Sequence, residues 1–542
     1  MVDSAVMRPI LDVAKSLELS GDDLLQYGPH LAKLSWATVA RLRARVPQGK
    51  LVLVTAMTPT KYGEGKTTTS IGLVQGLALR GVRAMAALRE PSLGPVFGAK
   101  GGGTGGGKAS LEPSARINLH CTGDMHAITA ANNLLAALVD NAINFGQRHF
   151  KNVTWKRCID MNDRFLRNTV IGLGGHANGV PREDSFDITA ASEVMATLCL
   201  ASDVPDLKAR LGRLIVGVSP EGAPVTAGEL KAAGAMAALL GDALLPNLAQ
   251  TTEGVPALVH GGPFANIAHG CNSVTATRAA LGLADVVVTE AGFAFDLGGE
   301  KFLDLKCRMS GLWPHTVVLV ATARALRFHG GDVPGLPAIS AGFANVRRHI
   351  AAIRSFGLEP ILSLNVFATD TEEELALVEQ MARAEGVKVA RNEGYVRGGA
   401  GSEAIADLVT EALKGPAPAP RYSYELEAPF EEKVRAIAQK VYGAKDVELS
   451  SEAKKDLARI TGWGLGGLPV CMAKTHLSLS DDASKQGAPE GFVVQLRHVR
   501  VSAGAGFLLA LTGEILTMPG LPKVPAAFNL DLRDDGEVVG VQ

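Results

Sequence analysis

Residues 51–81 read LVLVTAMTPTKYGEGKTTTSIGLVQGLALRG, which is a β-rich apolar run, then a glycine loop, then a pattern with helical spacing. Gly81 follows the helical pattern, as is typical of a helix C-terminus. The stretch TKYGEGKT, residues 60–67, matches the P-loop pattern except that Thr60 replaces the first glycine. This order predicts an α/β fold with a phosphate-binding loop; the alternative is a chance Gly-Lys turn before a helix.

The residue types of this loop suit a nucleoside triphosphate. Gly63 and Gly65 allow backbone N–H groups to approach phosphates without steric cost. Lys66 would reach the β and γ phosphates, and the Thr67 hydroxyl could hold Mg2+. The predicted nucleotide-contacting residues are Thr60, Lys61, Tyr62, Gly63, Glu64, Gly65, Lys66 and Thr67.

Four other apolar runs also precede loops and helical patterns. They are LIVGV from Leu214, DVVVTE from Asp285, TVVLVATA from Thr316 and PILSLNVF from Pro360. Repeated units of this kind predict a mostly parallel sheet covered on both faces, with ligands at the carboxyl ends of its strands. Glu290 ends the run DVVVTE and could place a carboxylate near a metal ion held by Thr67, or could simply give the strand a soluble end.

Composition limits the classes of protein to consider. A chain of 542 residues suggests two to four domains at roughly 150 residues each. Apolar residues make up 47% and charged residues 20%, which is typical of a globular protein. A net charge of −1 argues against a nucleic-acid partner. No apolar run reaches the ~20 residues of a membrane helix, and we expect neither a membrane span nor a secretory signal.

The six cysteines stand tens of residues apart, without a C-x-x-C pair. This spacing predicts reduced thiols in a cytoplasmic protein rather than zinc ligands or disulfides. Residues 98–107, GAKGGGTGGG, could be a flexible linker or a loop that brings backbone amides against a ligand. The stretch GPAPAPRYSYE from Gly415 predicts a surface connection near a smaller C-terminal lobe.

Long blocks of the chain match one known family, in order. They are TPTKYGEGKTTTSIGL from Thr58, ALREPSLGPVFGAKGG from Ala87, TGDMHAITAANNLLAALVDN from Thr122, GLGGHANGVPREDSFDIT from Gly172, ALVHGGPFANIAHGCNS from Ala257, VATARALRFHGG from Val320 and SAGAGFLLALTGEILTMPGLP from Ser502. On these blocks the chain resembles the formate-tetrahydrofolate ligases from Met7 to its C-terminus.

The resemblance implies ATP-dependent ligation of formate to tetrahydrofolate, through formyl phosphate, to give 10-formyltetrahydrofolate, ADP and phosphate. It also implies a homotetramer, Mg2+ and an activating monovalent cation, K+ or NH4+. The implied fold is a P-loop-related, mostly parallel α/β catalytic domain, residues 1–349, with two smaller α/β domains. These are a folate-site domain, residues 350–491, and a small domain, residues 492–542, with the glycine loop 98–107 contacting the C-terminal part.

The resemblance assigns Arg89 to formyl phosphate, and the planar guanidinium suits an acyl phosphate. The alternative is a surface arginine paired with Glu90. Asp124 is a predicted catalytic residue, since with His126 it could serve the metal or polarise a donor. A lone histidine is more often a structural hydrogen-bonding group, so His126 is only a candidate.

Phe367 matches the family's phenylalanine on one pterin face, and Tyr395 stands where the family usually has tryptophan on the other. Both could instead be ordinary core aromatics. The chain also departs from the family at Phe295, a bulky ring that could narrow the pocket. Smaller departures are Cys121 and, in or beside the glycine loop, Gly103, Thr104 and Lys108.

Two other functions fit parts of the pattern. One is a P-loop ATPase that acts as a nucleotide-gated scaffold or metal carrier, although no paired cysteines or docking signature support it. The other is a folate-binding homologue that has lost turnover. Formate-dependent ADP release in the presence of tetrahydrofolate separates these functions.

Overall fold

The computed structural model describes residues 7–60, 63–99, 101–333 and 335–541. Its largest feature is a twelve-stranded sheet. The strands of this sheet are β1 (Leu24–Gln26), β2 (Ala32–Leu34), β3 (Lys50–Ala56), β4 (Ala84–Leu88), β5 (Gly105–Gly106), β6 (Ala109–Glu112), β7 (Asn247–Thr251), β8 (Pro256–Val259), β9 (Val286–Glu290), β10 (Thr316–Thr322), β11 (Pro360–Asn365) and β12 (Lys388–Asn392).

The α-helices cover the sheet and build the outer parts. They are α1 (Ile10–Lys15), α2 (Trp36–Ala44), α3 (Lys66–Leu79), α4 (Leu93–Phe97), α5 (Ser114–Leu119), α6 (Asp124–Asn144), α7 (Glu193–Leu200), α8 (Val204–Arg213), α9 (Ala233–Leu239), α10 (Val274–Leu283), α11 (Arg308–Ser310), α12 (Ala323–His329), α13 (Leu336–Ser355), α14 (Glu372–Ala384), α15 (Gly394–Arg397), α16 (Glu403–Ala412), α17 (Phe430–Ile437) and α18 (Ser451–Gly462). Within the described ranges, no helix is both long and apolar enough to cross a membrane.

Most of the large sheet is parallel. Its order is β1-β2-β7-β8-β4-β9-β3-β10-β11-β12, and every pairing from β8 to β12 is parallel. Strands β1, β2 and β7 form an antiparallel edge, which β6 and β5 extend beside β7. The predicted α/β class with a mostly parallel sheet is therefore confirmed.

Burial on both faces explains why the central strands are apolar throughout. In β3, Leu51 and Leu53 point into one hydrophobic core, while Val52 and Val54 point into the core on the opposite face. Strand β10 is buried along its whole length. A strand with one solvent-exposed face alternates polar and apolar residues. A strand covered by helices on both faces is apolar at nearly every position.

Four of the five predicted runs are strands of this sheet, namely β3, β9, β10 and β11. The fifth, from Leu214, is a strand at Ile215–Val218, but its assignment to the parallel sheet was wrong. It pairs antiparallel with Pro224–Thr226 and Asn152–Val153. The chain reverses directly after it through a turn in which Ser219 N–H donates to the Ala223 carbonyl at 2.8 Å, so no helical crossover follows.

The chain between β6 and β7 forms an insertion with its own hydrophobic core, built on α6 to α9. Its strands are Asn152–Val153, Arg157–Ile159, Thr169–Ile171, Arg182–Asp184, Phe186–Ile188, Ile215–Val218 and Pro224–Thr226. The C-terminal strands are Asp446–Leu449, Val470–Ala473, Val493–Leu496, His498–Ser502, Phe507–Leu511, Asp531–Leu532 and Val538–Val539.

The sheet extends past the predicted boundary between residues 349 and 350. Strand β11 pairs with β10, and β12 pairs with β11, so both belong to the same sheet as the phosphate-loop strand. The division into domains itself stays a prediction. The Pro-rich residues 413–429 form neither helix nor strand.

Glu193 links the insertion to the C-terminal part. It lies in the first turn of α7, and its Oε1 accepts the Gly504 N–H at 2.7 Å. Burial raises the pKa of Glu193 from its ordinary value of 4.5 to about 7. Between these two values the folded chain holds a proton that the unfolded chain has released. Ionisation of Glu193 therefore opposes folding as the pH rises.

We predict that the contribution of Glu193 to stability falls as pH rises from 4.5 to about 7, by at most ~1.4 kcal/mol per pH unit. Glu193→Gln removes this titration, so its urea midpoint relative to wild type should increase across the same range. Glu432→Gln, at an exposed position of α17, is the matched control. A constant difference between wild type and Glu193→Gln at all pH values would contradict the assignment.

Candidate functional site

The phosphate loop leads from β3 into the N-terminus of α3. Gly65 is the N-cap residue of α3, and Lys66 is its first residue. Gly63 and Gly65 both have a φ of +75°, in the left-handed region that favours glycine. Because α3 begins directly after the loop, the N-terminus of this helix lies beyond the carboxyl end of β3, and a helix N-terminus stabilises an anion. Lys61 and Tyr62, also predicted to contact nucleotide, lie outside the described residues.

Glu64 fixes this loop from inside. Its buried carboxylate accepts the Thr60 N–H at 2.7 Å through Oε1 and the Thr322 hydroxyl at 2.7 Å through Oε2. The loop pattern predicts Glu64 as a nucleotide contact, but its side chain is used to close the loop and join it to the end of β10. Its backbone still belongs to the loop.

The ends of two neighbouring strands hold the loop backbone from the side. Arg324, two residues after β10, donates through Nη2 to the Gly63 carbonyl at 2.9 Å. Asn365, the last residue of β11, donates through Nδ2 to the Glu64 carbonyl at 3.0 Å. Sequence reasoning missed both residues. The available signal was a polar side chain at the end of each predicted apolar run.

A second set of contacts supports the chain before the loop. Asn345 Oδ1 accepts the Thr58 N–H at 3.1 Å, and His329 Nε2 lies 2.8 Å from the Thr58 carbonyl oxygen. His329 Nδ1 accepts the Gly487 N–H at 3.2 Å, so its Nε2 must carry the proton. Burial lowers the pKa of His329, which favours this neutral ring.

A cluster of charged and polar side chains lies at the carboxyl ends of β3, β4 and β9. It consists of Lys66, Thr67, Arg89 and Glu290. The Thr67 hydroxyl donates to Glu290 Oε2 at 2.9 Å, and Arg89 Nη2 lies 3.6 Å from Glu290 Oε1. Burial lowers the pKa of Lys66, while the Glu290 carboxylate acts in the opposite direction. Among the described residues, Arg89 Nε has no hydrogen-bond partner. Arg89 therefore has donor capacity left for a ligand.

Arg89 is not a surface residue paired with its neighbour. Three quarters of its side chain is covered, and its ionic partner is Glu290. Glu90 is itself buried, and its N–H donates to the Gly261 carbonyl at 2.9 Å. Burial and the nearby Asp124 carboxylate raise the pKa of Glu90 well above its usual range.

Asp124 lies at the start of α6, bound to a buried lysine. Lys33 Nζ contacts its two carboxylate oxygens at 2.8 and 3.0 Å, and Asn247 Nδ2 donates to Oδ2 at 2.9 Å. Sequence reasoning missed Lys33, although a lysine inside the apolar stretch LAKL was a signal. The catalytic role of Asp124 stays a prediction. His126 is not alone, since its Nε2 lies 2.8 Å from His120 Nδ1.

Phe367 and Tyr395 follow β11 and β12, at the same edge as the loop. The Arg324 guanidinium lies over the Phe367 ring, with Cζ 5.0 Å from the ring centroid. Because Arg324 also holds Gly63, Phe367 adjoins the phosphate loop. Tyr395 lies on α15 and is 60% exposed, so it is not a core aromatic.

The oxygens of Thr67 and Glu290 suit Mg2+, because this ion prefers hard oxygen ligands. In the described part of the chain, no group of three or more His, Cys, Asp and Glu side chains is placed to hold a metal ion. An ion at Thr67 and Glu290 would therefore need phosphate oxygens and water as further ligands, as Mg2+ at nucleotide sites usually has. A cavity of about 800 Å3, lined by Lys156, Trp463 and Arg500 among others, contains none of the predicted site residues.

Comparison with known proteins identifies the family of the chain. A family model described as "Formate--tetrahydrofolate ligase" matches residues 1–542. The protein named "Formate--tetrahydrofolate ligase" from Myxococcus xanthus (strain DK1622) is 58% identical over 547 residues, which cover 99% of this chain and 99% of that protein. The chain therefore belongs to the formate-tetrahydrofolate ligase family.

Proposed function

We propose that this chain ligates formate to tetrahydrofolate with ATP, giving 10-formyltetrahydrofolate, ADP and phosphate through formyl phosphate. Family membership over the full length supports this reaction. The observation that carries it is the placement of a helix N-terminus, Lys66 and Arg89 at one sheet edge. These groups offer fixed positive charge to two reactions in which oxygen atoms gain negative charge.

In the first step a formate oxygen attacks the γ-phosphorus of ATP, and the bond from that phosphorus to the bridging oxygen of ADP breaks. Lys66 and the loop amides hold the phosphates while charge shifts to ADP. Arg89 orients the formate carboxylate and then the acyl phosphate, since its guanidinium can bind two oxygens at once. No protein nucleophile is required, because positioning and charge supply the catalysis.

In the second step N10 of tetrahydrofolate attacks the formyl carbon. The bond from that carbon to the phosphate oxygen breaks, phosphate leaves, and N10 loses its proton. We propose that the pterin stacks between Phe367 and Tyr395. Because Arg324 covers one face of Phe367, the pterin would use the other face or displace the guanidinium. Asp124 is proposed to act in this step by polarising a donor.

Thr67 and Glu290 are proposed to hold Mg2+, which would neutralise phosphate charge when bound. A monovalent cation, K+ or NH4+, is proposed as activator on family membership. We further propose a P-loop-related core with two smaller α/β domains, 350–491 and 492–542, in a cytoplasmic homotetramer. The expected partners are formate, ATP and tetrahydrofolate, with no nucleic acid and no membrane.

The decisive assay measures ADP release with and without formate and tetrahydrofolate. A ligase releases ADP in step with 10-formyltetrahydrofolate only when both are present. A nucleotide-gated scaffold or metal carrier would release ADP without formate. A degenerate homologue would bind tetrahydrofolate and form no product.

We predict that Lys66→Ala abolishes ligation while the fold is retained, because the loop loses its charged contact to the β and γ phosphates. Product formation and circular dichroism are the measurements. Lys208→Ala, at an exposed position of α8, is the control and should match wild type. Full activity of Lys66→Ala would remove the loop from the ATP site.

Arg89→Lys keeps the charge but loses the planar pair of donors. We expect kcat at saturating formate to fall roughly a hundredfold, the scale for losing one positioned donor to developing charge. Arg83→Lys, at a half-exposed surface arginine, controls for the exchange itself. An unchanged kcat in Arg89→Lys would exclude this guanidinium from the reacting centre.

Phe367→Ala and Tyr395→Ala should each weaken the binding of tetrahydrofolate by about 1 to 3 kcal/mol, which is a loss of affinity of about fivefold to more than a hundredfold. ATP affinity should barely change. Tyr395→Trp should bind tetrahydrofolate equally well or better, because the indole offers a wider stacking face. Calorimetry measures both ligands, with Phe165→Ala at an exposed ring as control. Equal losses for both ligands would indicate general damage instead of lost stacking.

A further inference from the structure

The end of the glycine loop lies directly against Tyr395. The Lys108 N–H donates to the Tyr395 carbonyl at 2.9 Å. A Cβ on Gly107 would lie 2.0 Å from that same carbonyl oxygen, and a Cβ on Gly106 would lie 3.0 Å from Cε2 of the tyrosine ring. Real Cβ contacts essentially never fall below 3.0 Å, so position 107 tolerates only glycine unless Tyr395 moves.

Gln75 on α3 holds this part of the loop. Its Nε2 donates to the Lys108 carbonyl at 3.2 Å and to the Thr252 hydroxyl oxygen at 2.9 Å. The Thr252 hydroxyl donates to the same Lys108 carbonyl. Gln75 is fully buried, so its amide is placed by packing as well as by these bonds. The backbone of Lys108 thus connects α3 to Tyr395.

The segment after Tyr395 also packs closely on α3. A Cβ on Gly72 would lie 2.5 Å from Ser402 Oγ, and a Cβ on Gly76 would lie 2.9 Å from the Ser402 carbonyl oxygen. On the other side, Glu253 Oε1 accepts the Gly399 N–H at 2.8 Å. The chain around Tyr395 is therefore enclosed by α3, the glycine loop and the turn between β7 and β8.

We propose that Gly107 and Gln75 are positioning residues for tetrahydrofolate, because they fix the height and orientation of the exposed Tyr395 ring above the sheet edge. The proposal rests on the proposed stacking of the pterin on Tyr395. Neither residue needs to touch a substrate. Helix α3, which begins with Lys66 at the phosphate loop, provides the rigid base for both.

Gly107→Ala tests the proposal by adding one methyl group beneath Tyr395. Its control is Gly146→Ala, because Gly146 has a similar φ, +63° against +59°, and a Cβ there would meet nothing within 4 Å. Both variants place a side chain at a similar positive φ, and only Gly107→Ala displaces Tyr395. We expect the KM for tetrahydrofolate to rise at least about tenfold in Gly107→Ala, with the KM for ATP within about twofold of Gly146→Ala.

Gln75→Met keeps the length of the side chain and removes its donors. We expect a smaller rise in the same KM, with kcat at saturating tetrahydrofolate nearly unchanged. Hydrogen exchange of residues 394–401 should be faster in Gly107→Ala and Gln75→Met than in Gly146→Ala. A merely destabilising substitution would raise exchange throughout the chain and affect both substrates.

Tyr395→Ala distinguishes the two ways of failing. If Tyr395→Ala weakens the binding of tetrahydrofolate but Gly107→Ala behaves like Gly146→Ala, the positioning role is overturned and the stacking on Tyr395 stands. If Tyr395→Ala has no effect on tetrahydrofolate, the stacking itself is wrong. The positioning role then falls with it, whatever Gly107→Ala does to the KM, because no effect on tetrahydrofolate could pass through Tyr395.

Discussion

The buried carboxylate of Glu64 is the interaction on which the site depends. It accepts the Thr60 N–H and the Thr322 hydroxyl, and thereby ties a glycine-rich loop to the neighbouring strand. A loop with two glycines has high conformational entropy, and a helix N-terminus binds phosphate well only when its amides are already placed. A buried carboxylate also needs its partners, because an unpaired charge away from water is costly. Arg324 and Asn365 complete the arrangement from the ends of β10 and β11.

Much of this arrangement could be predicted from local sequence. Strands buried on both faces are continuous apolar runs, so β3, β9, β10 and β11 were visible, as was the helix from Lys66 to the stop at Gly81. The antiparallel edge was missed because β1 and β2 span three residues each and β2 contains Lys33. The lysine inside LAKL indicated a buried charge, but its partner Asp124 lies 91 residues away in sequence, and nothing local identifies that partner. The run at Ile215–Val218 has the composition of a parallel strand, and only its partners assign it elsewhere.

The departures from the family pattern were harder to interpret before the fold was known. Phe295 raised the concern of a narrowed pocket, yet its ring is fully buried and packs edge-on against Phe356 at 5.7 Å. Gly299 makes room for it, since a Cβ there would lie 2.4 Å from the Phe295 ring. Side-chain direction of this kind depends on the π-helical turns Phe295–Gly299 and Phe302–Cys307 that follow β9, and such turns have no reliable sequence signal.

The strand order has a consequence for how the chain is made. Strands β3 and β4 lie early in the sequence but do not pair with each other, because β9 lies between them. Strand β9 follows β4 by roughly 200 residues. At ribosomal rates of about 5–20 residues per second, β3 and β4 are therefore synthesised on the order of 10–40 s before β9, the partner that they share. During that time the backbone N–H and C=O groups along the facing edges of β3 and β4 are available to other chains. The centre of the sheet can therefore close only after β9 has been synthesised, and until then the unpaired edges make the growing chain prone to aggregation.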